Sequence, residues 1–262
     1  MDRGFTSSGV CAIIPLTRQF TLEYATLFNL ILPALSKNHL PMPLGGTSNH
    51  FRVDVLRRIG GWDPYNVTED ADIGIRLARC GLRALSFESV TYEEANTDLH
   101  NWLQQRTRWM KGFLQTWLVH MRNPLLLLRE LGITGFLVVQ AMLIGVVLSS
   151  AFYPIFMGLT ALQLIWDILG LQQSGLWHVM LSGSYFGFLV LGSCVMMLSG
   201  VIGLRRKRYF GWWGTLATMP IYWMLASVAA WMAIWQFIHA PFKWNKTRHG
   251  LSRFQQRSTN AQ

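Results

Sequence analysis

The sequence predicts a globular part with α/β character that is mostly helical, followed by a bundle of transmembrane helices. Hydrophobic residues make up 51% of the 262-residue chain and charged residues only 14%, whereas charged residues approach a quarter of a typical soluble domain. Acidic residues become scarce along the chain, because twelve of the thirteen lie at or before Glu130 and only Asp167 follows. We therefore expect a globular part at residues 1–125 and a membrane part at residues 126–240.

The first half of the globular part contains two helix signals separated by a turn. Residues 20–35 are mostly apolar and form a helix candidate that is too short and too polar to span a bilayer comfortably. The segment at residues 43–50 is rich in turn-forming residues, and Ser48 or Asn49 in it is a candidate cap for the next helix. The Gly60-Gly61 pair should end that helix.

The second half of the globular part predicts a helix, a strand and a longer helix. The first helix should begin near Glu69 and stop at Gly81, because glycine readily adopts the left-handed conformation that ends helices. Residues 83–92 are compatible with a β-strand. Thr97 or Asp98 should then cap the long helix that follows.

Four apolar stretches follow, which predicts three or four transmembrane helices. The first, third and fourth are long enough to span a bilayer, which takes about 20 residues, while the second is marginal and should break near Pro154. Trp and Tyr gather at the ends of these stretches, as residues of the membrane interface do. The stretches cover residues 133–150, 153–169, 177–204 and 212–239.

Two basic clusters, at residues 205–208 and 243–257, flank the apolar stretches. Such clusters are typical of the cytoplasmic side of a membrane, so we expect a multi-pass protein of the inner (plasma) membrane with a cytoplasmic globular part. An even number of spans would also place the basic tail at residues 241–262 in the cytoplasm. Nucleic acid is not an expected partner, because the basic residues do not interleave with aromatic residues on a soluble face.

The segment Gln-Arg-Thr-Arg-Trp at residues 105–109 places three functional groups on one side of the long helix. Gln105, Arg108 and Trp109 are spaced i, i+3 and i+4, so they share a helix face. An Arg can clamp a phosphate with two hydrogen bonds, a Gln amide can add another, and a Trp offers a flat platform for a pyranose. The alternative is an amphipathic interfacial helix whose Arg reaches the headgroups, and Arg106 fits that alternative better.

Thr68, Glu69 and Asp70 lie at the predicted start of the preceding helix. The helix dipole favours acidic residues there, so capping alone would account for the two carboxylates. The functional alternative is that one carboxylate acts as a general base toward a hydroxyl group. Asp70 and Asp72 also imitate an Asp-x-Asp metal pair, but side chains at i and i+2 diverge on a helix, which argues against chelation.

The two motifs in this order, followed by apolar helices, resemble the membrane-integrated family 2 glycosyltransferases, a group of cellulose synthase-like, chitin synthase-like and hyaluronan synthase-like enzymes. The resemblance implies the C-terminal portion of a bacterial polysaccharide synthase. That portion would be an α/β remnant of a GT-A-type glycosyltransferase domain, mostly helical here, followed by an α-helical transmembrane bundle. The loop at residues 45–52 resembles the family's loop near the acceptor sugar and contains Gly46, Thr47, Ser48 and Asn49.

The resemblance also reaches residues 241–250, which are similar to a C-terminal motif of bacterial members. By analogy with cellulose synthases, this segment would act as a gating loop at the cytoplasmic side. The residues that carry the similarity are Trp244, Lys246, Thr247, His249 and Gly250.

The resemblance implies a hexosyltransferase that moves a sugar from a nucleotide-sugar donor, a UDP-sugar, to a growing β-linked polysaccharide with inversion. Asp70 would be the general base, next to Thr68 and Glu69 in the catalytic motif. Gln105 and Arg108 would bind the pyrophosphate, and Trp109 would stack on the terminal acceptor sugar. The family uses a divalent cation, Mg²⁺ or Mn²⁺, to neutralise the departing nucleoside diphosphate.

The donor-binding half of such an enzyme is missing from this sequence. About 45 residues precede Gly45, fewer than two βαβ units of about 30 residues each require. No Asp-x-Asp occurs there, since Asp2 is the only Asp before Asp54. We therefore expect no metal ligands in this chain. We also expect a truncated or fragmentary synthase that is inactive unless a partner chain carries the nucleotide-binding half.

Three function classes follow from the sequence. The first is the acceptor and membrane-channel half of a polysaccharide synthase, which the ordered motifs favour. The second is a non-catalytic membrane subunit or transporter that keeps remnants of the motifs, although the apolar stretches carry almost no charge, which counts against a transporter. The third is a lipid-linked glycosyltransferase that acts once per acceptor rather than processively.

Overall fold

The structure, a computed structural model, describes residues 15–87, 89, 91, 95–170, 175–206 and 213–241. Within these residues the protein consists of ten α-helices and two π-helical turns, and none of them lies in a β-strand. The chain begins with α1 (Pro15–Thr26), which continues through a π-helical turn (Leu27–Ile31) into α2 (Leu32–Lys37). The helix expected over residues 20–35 is therefore confirmed.

The short helix α3 (Val53–Arg58) forms where a helix was expected, but its predicted cap is wrong. The amide of Asn49 donates a hydrogen bond back to the carbonyl of Gly45. The hydroxyl of Ser48 lies 2.6 Å from that of Thr91. Asn49 is therefore bonded within the loop and Ser48 to a residue 43 positions away, so neither side chain caps α3. The local sequence does not indicate these partners.

Helix α4 (Glu69–Arg79) has the predicted start and stop. Gly81 has a φ of +69°, the left-handed conformation that glycine adopts without strain. Its N–H donates to the carbonyl of Ala78 at 3.0 Å, and the N–H of Leu82 donates to that of Leu77 at 2.9 Å. This pair of bonds is a Schellman motif, which satisfies two carbonyls at the helix end.

The described residues of the segment after α4 do not form the strand that was expected over residues 83–92. Residues 82–87 have no strand partner among the described residues, and residues 88, 90 and 92 lie outside them. The N–H of Ser86 donates instead to the hydroxyl of Ser36 at 2.9 Å. A strand exists through pairing with a neighbour, so β-compatible residues alone did not suffice, and the expected α/β character is not confirmed.

The long helix α5 (Leu99–His120) is capped as predicted, because the Asp98 carboxylate accepts a hydrogen bond from the N–H of Asn101 at 2.8 Å. One of its faces buries Trp102 and Met110 against the helices that follow. Residues of two later apolar helices complete this core, so α5 packs directly against the apolar part of the chain.

The first two apolar stretches, the second of which was expected to break near Pro154, form one helical run. It consists of α6 (Pro124–Gln140), a π-helical turn (Ala141–Gly145) and α7 (Val146–Ile168), with a sharp bend at Gly132, whose φ is +66°. Pro154 lies inside α7, so the predicted break there is wrong. An apolar helix that continues past a proline leaves fewer unpaired backbone groups than one that stops in hydrocarbon.

The chain continues through α8 (Leu176–Arg206), α9 (Trp213–Ala217) and α10 (Met219–His239). In the described part of the chain, three segments are long and apolar enough to cross a membrane, within the predicted range of three to four. The preference for an even number of spans stays a prediction. The three segments are Pro124–Ile168, Val179–Arg206 and Met219–His239.

Small residues allow the helices to approach each other closely. On α10, a row of buried alanines, Ala226, Ala229, Ala230 and Ala233, packs into the main core beside α5 and α7. On α8, a Cβ at Gly203 would lie only 2.6 Å from the carbonyl oxygen of a residue in α1. Such rows of small residues are typical of helix contacts in membranes.

The contact between α4 and α5 depends on Gly112. A Cβ at this position would overlap the side chain of Thr68, with the Thr68 Cβ only 2.7 Å away. Thr68 is itself buried. The absence of a side chain at Gly112 therefore lets the start of α4 sit directly on α5.

Replacing Gly112 by Ala should lower the free energy of unfolding of the protein in detergent by roughly 1 to 3 kcal/mol, because overpacking forces the two helices apart. The matched control is Gly187→Ala on α8, where a Cβ would meet no atom within 4 Å. Unfolding followed by circular dichroism should show a loss for Gly112→Ala alone. Equal stability of the two variants would contradict the close contact.

Candidate functional site

A polar seam joins the segment before α4 to one face of α5. The Asn66 amide donates to the Thr116 hydroxyl at 2.8 Å, and the Gln115 side-chain oxygen accepts from the N–H of Val67 at 3.2 Å. The N–H of Thr68 donates to the Asn66 side-chain oxygen at 3.0 Å. Together with the Gly112 contact, these bonds fix the first turn of α4 relative to α5.

Farther along α4, the seam continues as a buried charged network. The Asp72 carboxylate accepts from Arg76 Nε at 2.7 Å and lies 3.0 Å from His120 Nε2. Arg79 lies 3.0 Å from His120 Nδ1 and 2.6 Å from the carboxylate of Glu130 on α6. Because a guanidinium can only donate, His120 Nδ1 accepts from Arg79, which leaves the proton on Nε2 to donate to Asp72.

Burial by itself would raise the pKa of Asp72, but the hydrogen bond from His120 and the charge of Arg76 outweigh it and lower this pKa below 3.8. The carboxylate of Asp72 is therefore held ionised within the seam. Its hydrogen bond with His120 holds α4 against α5.

Asp70 points to a different surface, where it meets the loop after α2. Its Oδ1 accepts from the N–H of Ala71 at 2.8 Å, and its Oδ2 would lie 3.2 Å from a Cβ at Gly46. Burial raises the pKa of Asp70 and the charge of Glu69 adds to this rise, while the hydrogen bond from Ala71 and the charge of Arg108 oppose it. A carboxylate with a raised pKa accepts a proton more readily.

Arg108 is the cation of this site. Burial lowers the pKa of Arg108, and the charges of Glu69 and Asp70 counteract that effect. The structure therefore brings Arg108 of the second motif within electrostatic reach of both carboxylates of the first motif. These residues, with Gly46 of the loop, form the candidate active site.

Gln105 and Trp109 lie on α5, as predicted, but each already has a neighbour. Gln105 is buried, and its side-chain oxygen accepts from the amide of Asn96 at 2.8 Å. Trp109 is half-buried, and its ring centroid lies 6.4 Å from that of Tyr24 on α1. The structure thus fixes both side chains through neighbours that the motif does not contain.

Arg106 does not reach toward headgroups, so that interpretation of the sequence is wrong. Its guanidinium forms an ion pair with Glu23 and donates to the hydroxyl of Tyr222 at 3.2 Å. The three residues come from α1, α5 and α10. The reason is that two other helices cover this face of α5, which the periodicity of α5 alone does not show.

The remaining predicted site residues lie either in the exposed loop or outside the described part of the chain. Thr47, Ser48 and Asn49 are exposed in the loop whose Gly46 meets Asp70. The residues of the tail motif lie outside the described part of the chain: Trp244, Lys246, Thr247, His249 and Gly250.

The carboxylates in the described residues do not fit a divalent cation. Asp70 and Asp72 point to different neighbours, as their i, i+2 spacing predicts, and Asp72 is bound by His120 and Arg76. No group of three or more His, Cys, Asp or Glu residues comes close enough to hold a metal ion in that part of the chain. We therefore derive no catalytic step through a metal from these residues.

Several residues that build the site were not predicted from the sequence. Gly112, Gln115, Thr116 and His120 recur on α5 at helical spacing, and this row of small and polar residues was the available signal. Gln115 has a second role, because its amide donates to the carbonyl of Pro241 at 2.8 Å. One side chain therefore ties the segment before α4 to the residues just after α10.

Comparison with known proteins identifies the class of protein to which this fold and site belong. The sequence matches the family "Glycosyl transferase family group 2" over residues 16–242. Because this match covers most of the chain, the chain belongs to that glycosyltransferase family. The resemblance to family 2 glycosyltransferases is thereby confirmed, while the cellulose synthase-like subgroup and the C-terminal placement stay predictions.

The chain is also similar to the probable glycosyltransferase YdaM of Bacillus subtilis (strain 168). The two sequences are 32% identical over 68 residues, which cover 26% of this chain and 16% of that protein. The chain thus matches less than a fifth of the length of this curated relative. No solved structure matches the chain.

Replacing Asp72 by Asn should destabilise the protein by roughly 3 to 5 kcal/mol, because it breaks a buried charged network. Since the pKa of Asp72 is lowered on folding, its stabilisation is present above pH 3.8 and is lost as the pH falls through the folded-state value. Thermal unfolding in detergent should show a gap between wild type and variant that narrows with acidification.

The exposed Asp54, which pairs with Arg52 on the surface, provides the control. Asp54→Asn should leave stability unchanged, because exposed ion pairs contribute little. If Asp72→Asn behaved like this control at neutral pH, the seam would not hold α4 in place.

Proposed function

We propose that this chain supplies the acceptor side of a hexosyltransferase that extends a β-linked polysaccharide at a membrane. The observation that carries the proposal is the convergence of Asp70, Glu69, Arg108 and Gly46 from three separate segments of the chain. Membership of a glycosyltransferase family and three candidate spans support a sugar transfer beside a bilayer.

Asp70 has the properties of a general base. Its carboxylate is half-buried, faces the loop at Gly46, and has a raised pKa. In the proposed reaction it takes the proton of an acceptor hydroxyl as that oxygen bonds to the anomeric carbon of the donor sugar. The bond from this carbon to the nucleoside diphosphate breaks on the opposite side, which inverts the configuration.

Arg108, Gln105 and Trp109 surround that step on the α5 side. The guanidinium of Arg108 lies within reach of the Asp70 charge, so an incoming pyrophosphate there would meet both a cation and the neighbouring base. Gln105 would add a hydrogen bond to the pyrophosphate. Trp109 would present its ring to the terminal acceptor sugar, in the same helix face one turn away from Gln105.

The donor-binding groups, in this proposal, come from polypeptide outside these 262 residues. That polypeptide would bind the UDP-sugar and would hold the divalent cation, since the described carboxylates do not fit one. The globular part would face the cytoplasm of an inner or plasma membrane, where nucleotide sugars are available. The apolar helices would then form the membrane path of the polymer.

Two other functions remain open. A non-catalytic membrane subunit would retain the fold without needing the Asp70 carboxylate. A non-processive lipid-linked glycosyltransferase would need the same base but would add one sugar per acceptor. Measuring product chain length, with the chain co-expressed with a donor-binding half, separates the processive enzyme from the latter.

Asp70→Asn should lower sugar incorporation by roughly 100-fold or more, because loss of a general base typically costs that much. The assay follows radiolabelled UDP-sugar incorporation in membranes that contain the chain and a donor-binding half. Asp167→Asn, at an exposed position near the end of α7 and outside both motifs, should incorporate sugar at the wild-type rate. Full activity of Asp70→Asn would contradict the proposed role of Asp70 as the general base and would favour the non-catalytic subunit.

The pH dependence of the same reaction tests the environment of Asp70. Because burial and Glu69 raise the pKa of Asp70 above 3.8, activity should fall on acidification at a pH above that value. Glu69→Gln removes one of the charges that raise this pKa, so the acid limb of the rate profile should move to lower pH. An acid limb that stays in place would show that Asp70 is not the titrating base.

A further inference from the structure

We propose that Arg106, together with Glu23 and Tyr222, is a positioning group that fixes the indole ring of Trp109 for sugar stacking. The role of Trp109 as a sugar platform rests on the proposed function. The positioning of its ring by Arg106 rests on the geometry of the helices and holds independently.

The guanidinium of Arg106 is held from one side by two polar partners. It pairs with the carboxylate of Glu23 on α1 and donates to the hydroxyl of Tyr222 on α10 at 3.2 Å. That hydroxyl donates in turn to the same carboxylate at 2.7 Å. The side chain of Arg106 therefore has a closed triangle of contacts and little freedom to reorient.

The same guanidinium lies over three aromatic rings. Its central carbon is 4.9 Å from the ring centroid of Trp109, and 5.4 Å from those of both Trp102 and Phe20. Such cation–π contacts favour a fixed geometry between the cation and the ring face. Arg106 therefore covers one face of the indole ring of Trp109.

A role in stability alone does not require this particular arrangement. Buried ion pairs are often no more stabilising than well-packed apolar residues that replace both partners, so stability alone does not call for a cation at this position. A planar cation fixed by two partners does something that an apolar side chain does not, because it prescribes the orientation of each ring beneath it. The contact links the ring of Trp109 to the membrane helix α10.

Fluorine NMR of the full chain labelled with 5-fluorotryptophan, in detergent micelles, tests the proposal. The Trp109 signal is assigned by its loss in Trp109→Phe. In the wild type it should be a single narrow resonance. In Arg106→Met it should shift and become broad or split, because the ring samples several orientations, and Arg106→Lys should restore it only in part.

Two controls separate positioning from a general loss of structure. The exposed arginine Arg83 is replaced by Met, which should leave the Trp109 signal unchanged. The signal of Trp117, whose ring N–H donates to Gln140 at 2.6 Å, should stay unchanged in every variant. A merely structural role of Arg106 would lower the unfolding temperature and leave the Trp109 line of the folded protein narrow, which would overturn the proposal.

If Arg106→Met fails to fold, Tyr222→Phe tests the same positioning role, because it removes only one hydroxyl partner of Arg106. It should broaden the Trp109 signal in the same direction but to a smaller extent, and an unaltered signal would overturn the proposal. A disturbed Trp109 ring, combined with unchanged sugar incorporation by Trp109→Phe, would uphold positioning by Arg106 and refute the sugar-platform role instead.

Discussion

The close contact between Thr68 and Gly112 is the constraint on which the site depends. It lets the first turn of α4 rest on α5, and the bonds from Asn66 to Thr116 and from Gln115 to Val67 then fix the register of the two helices. With that register, the carboxylates at the start of α4 lie within reach of Arg108. A side chain at position 112 would separate the two motifs even though each would keep its own helix.

Two carboxylates only two residues apart are given opposite environments by this packing. Asp72 lies in the seam, where His120 and Arg76 lower its pKa, while Asp70 faces the loop at Gly46, where burial raises its pKa. A helix separates side chains at i and i+2 by about 200°, so two acids at this spacing lie on different faces and can have different roles. Asp72 stabilises the helix pair, whereas Asp70 has a raised pKa and takes up a proton more readily.

The sequence was informative where the chemistry is local and uninformative where partners are distant. Asp98 as a cap and Gly81 as a stop act on their own helices, so both were predictable. The environment of Arg106 depends on Glu23 and Tyr222, which lie 83 and 116 positions away, and no periodicity within α5 indicates them. The expected strand failed for the same reason, because strand formation depends on a partner. Of the candidate site, Asp70 and Arg108 were foreseen, whereas the seam that unites them was not.

Photo-crosslinking of the acceptor tests the central claim most directly. In membranes that hold the chain with a donor-binding half, the enzyme itself would add a diazirine-bearing sugar to the polymer end. Mass spectrometry after illumination should then find crosslinked peptides in the loop at residues 45–52 and at Trp109, and none when Asp70→Asn prevents the addition. Crosslinks confined to other surfaces, with both of these segments unlabelled, would contradict an acceptor site between the loop, Asp70 and α5.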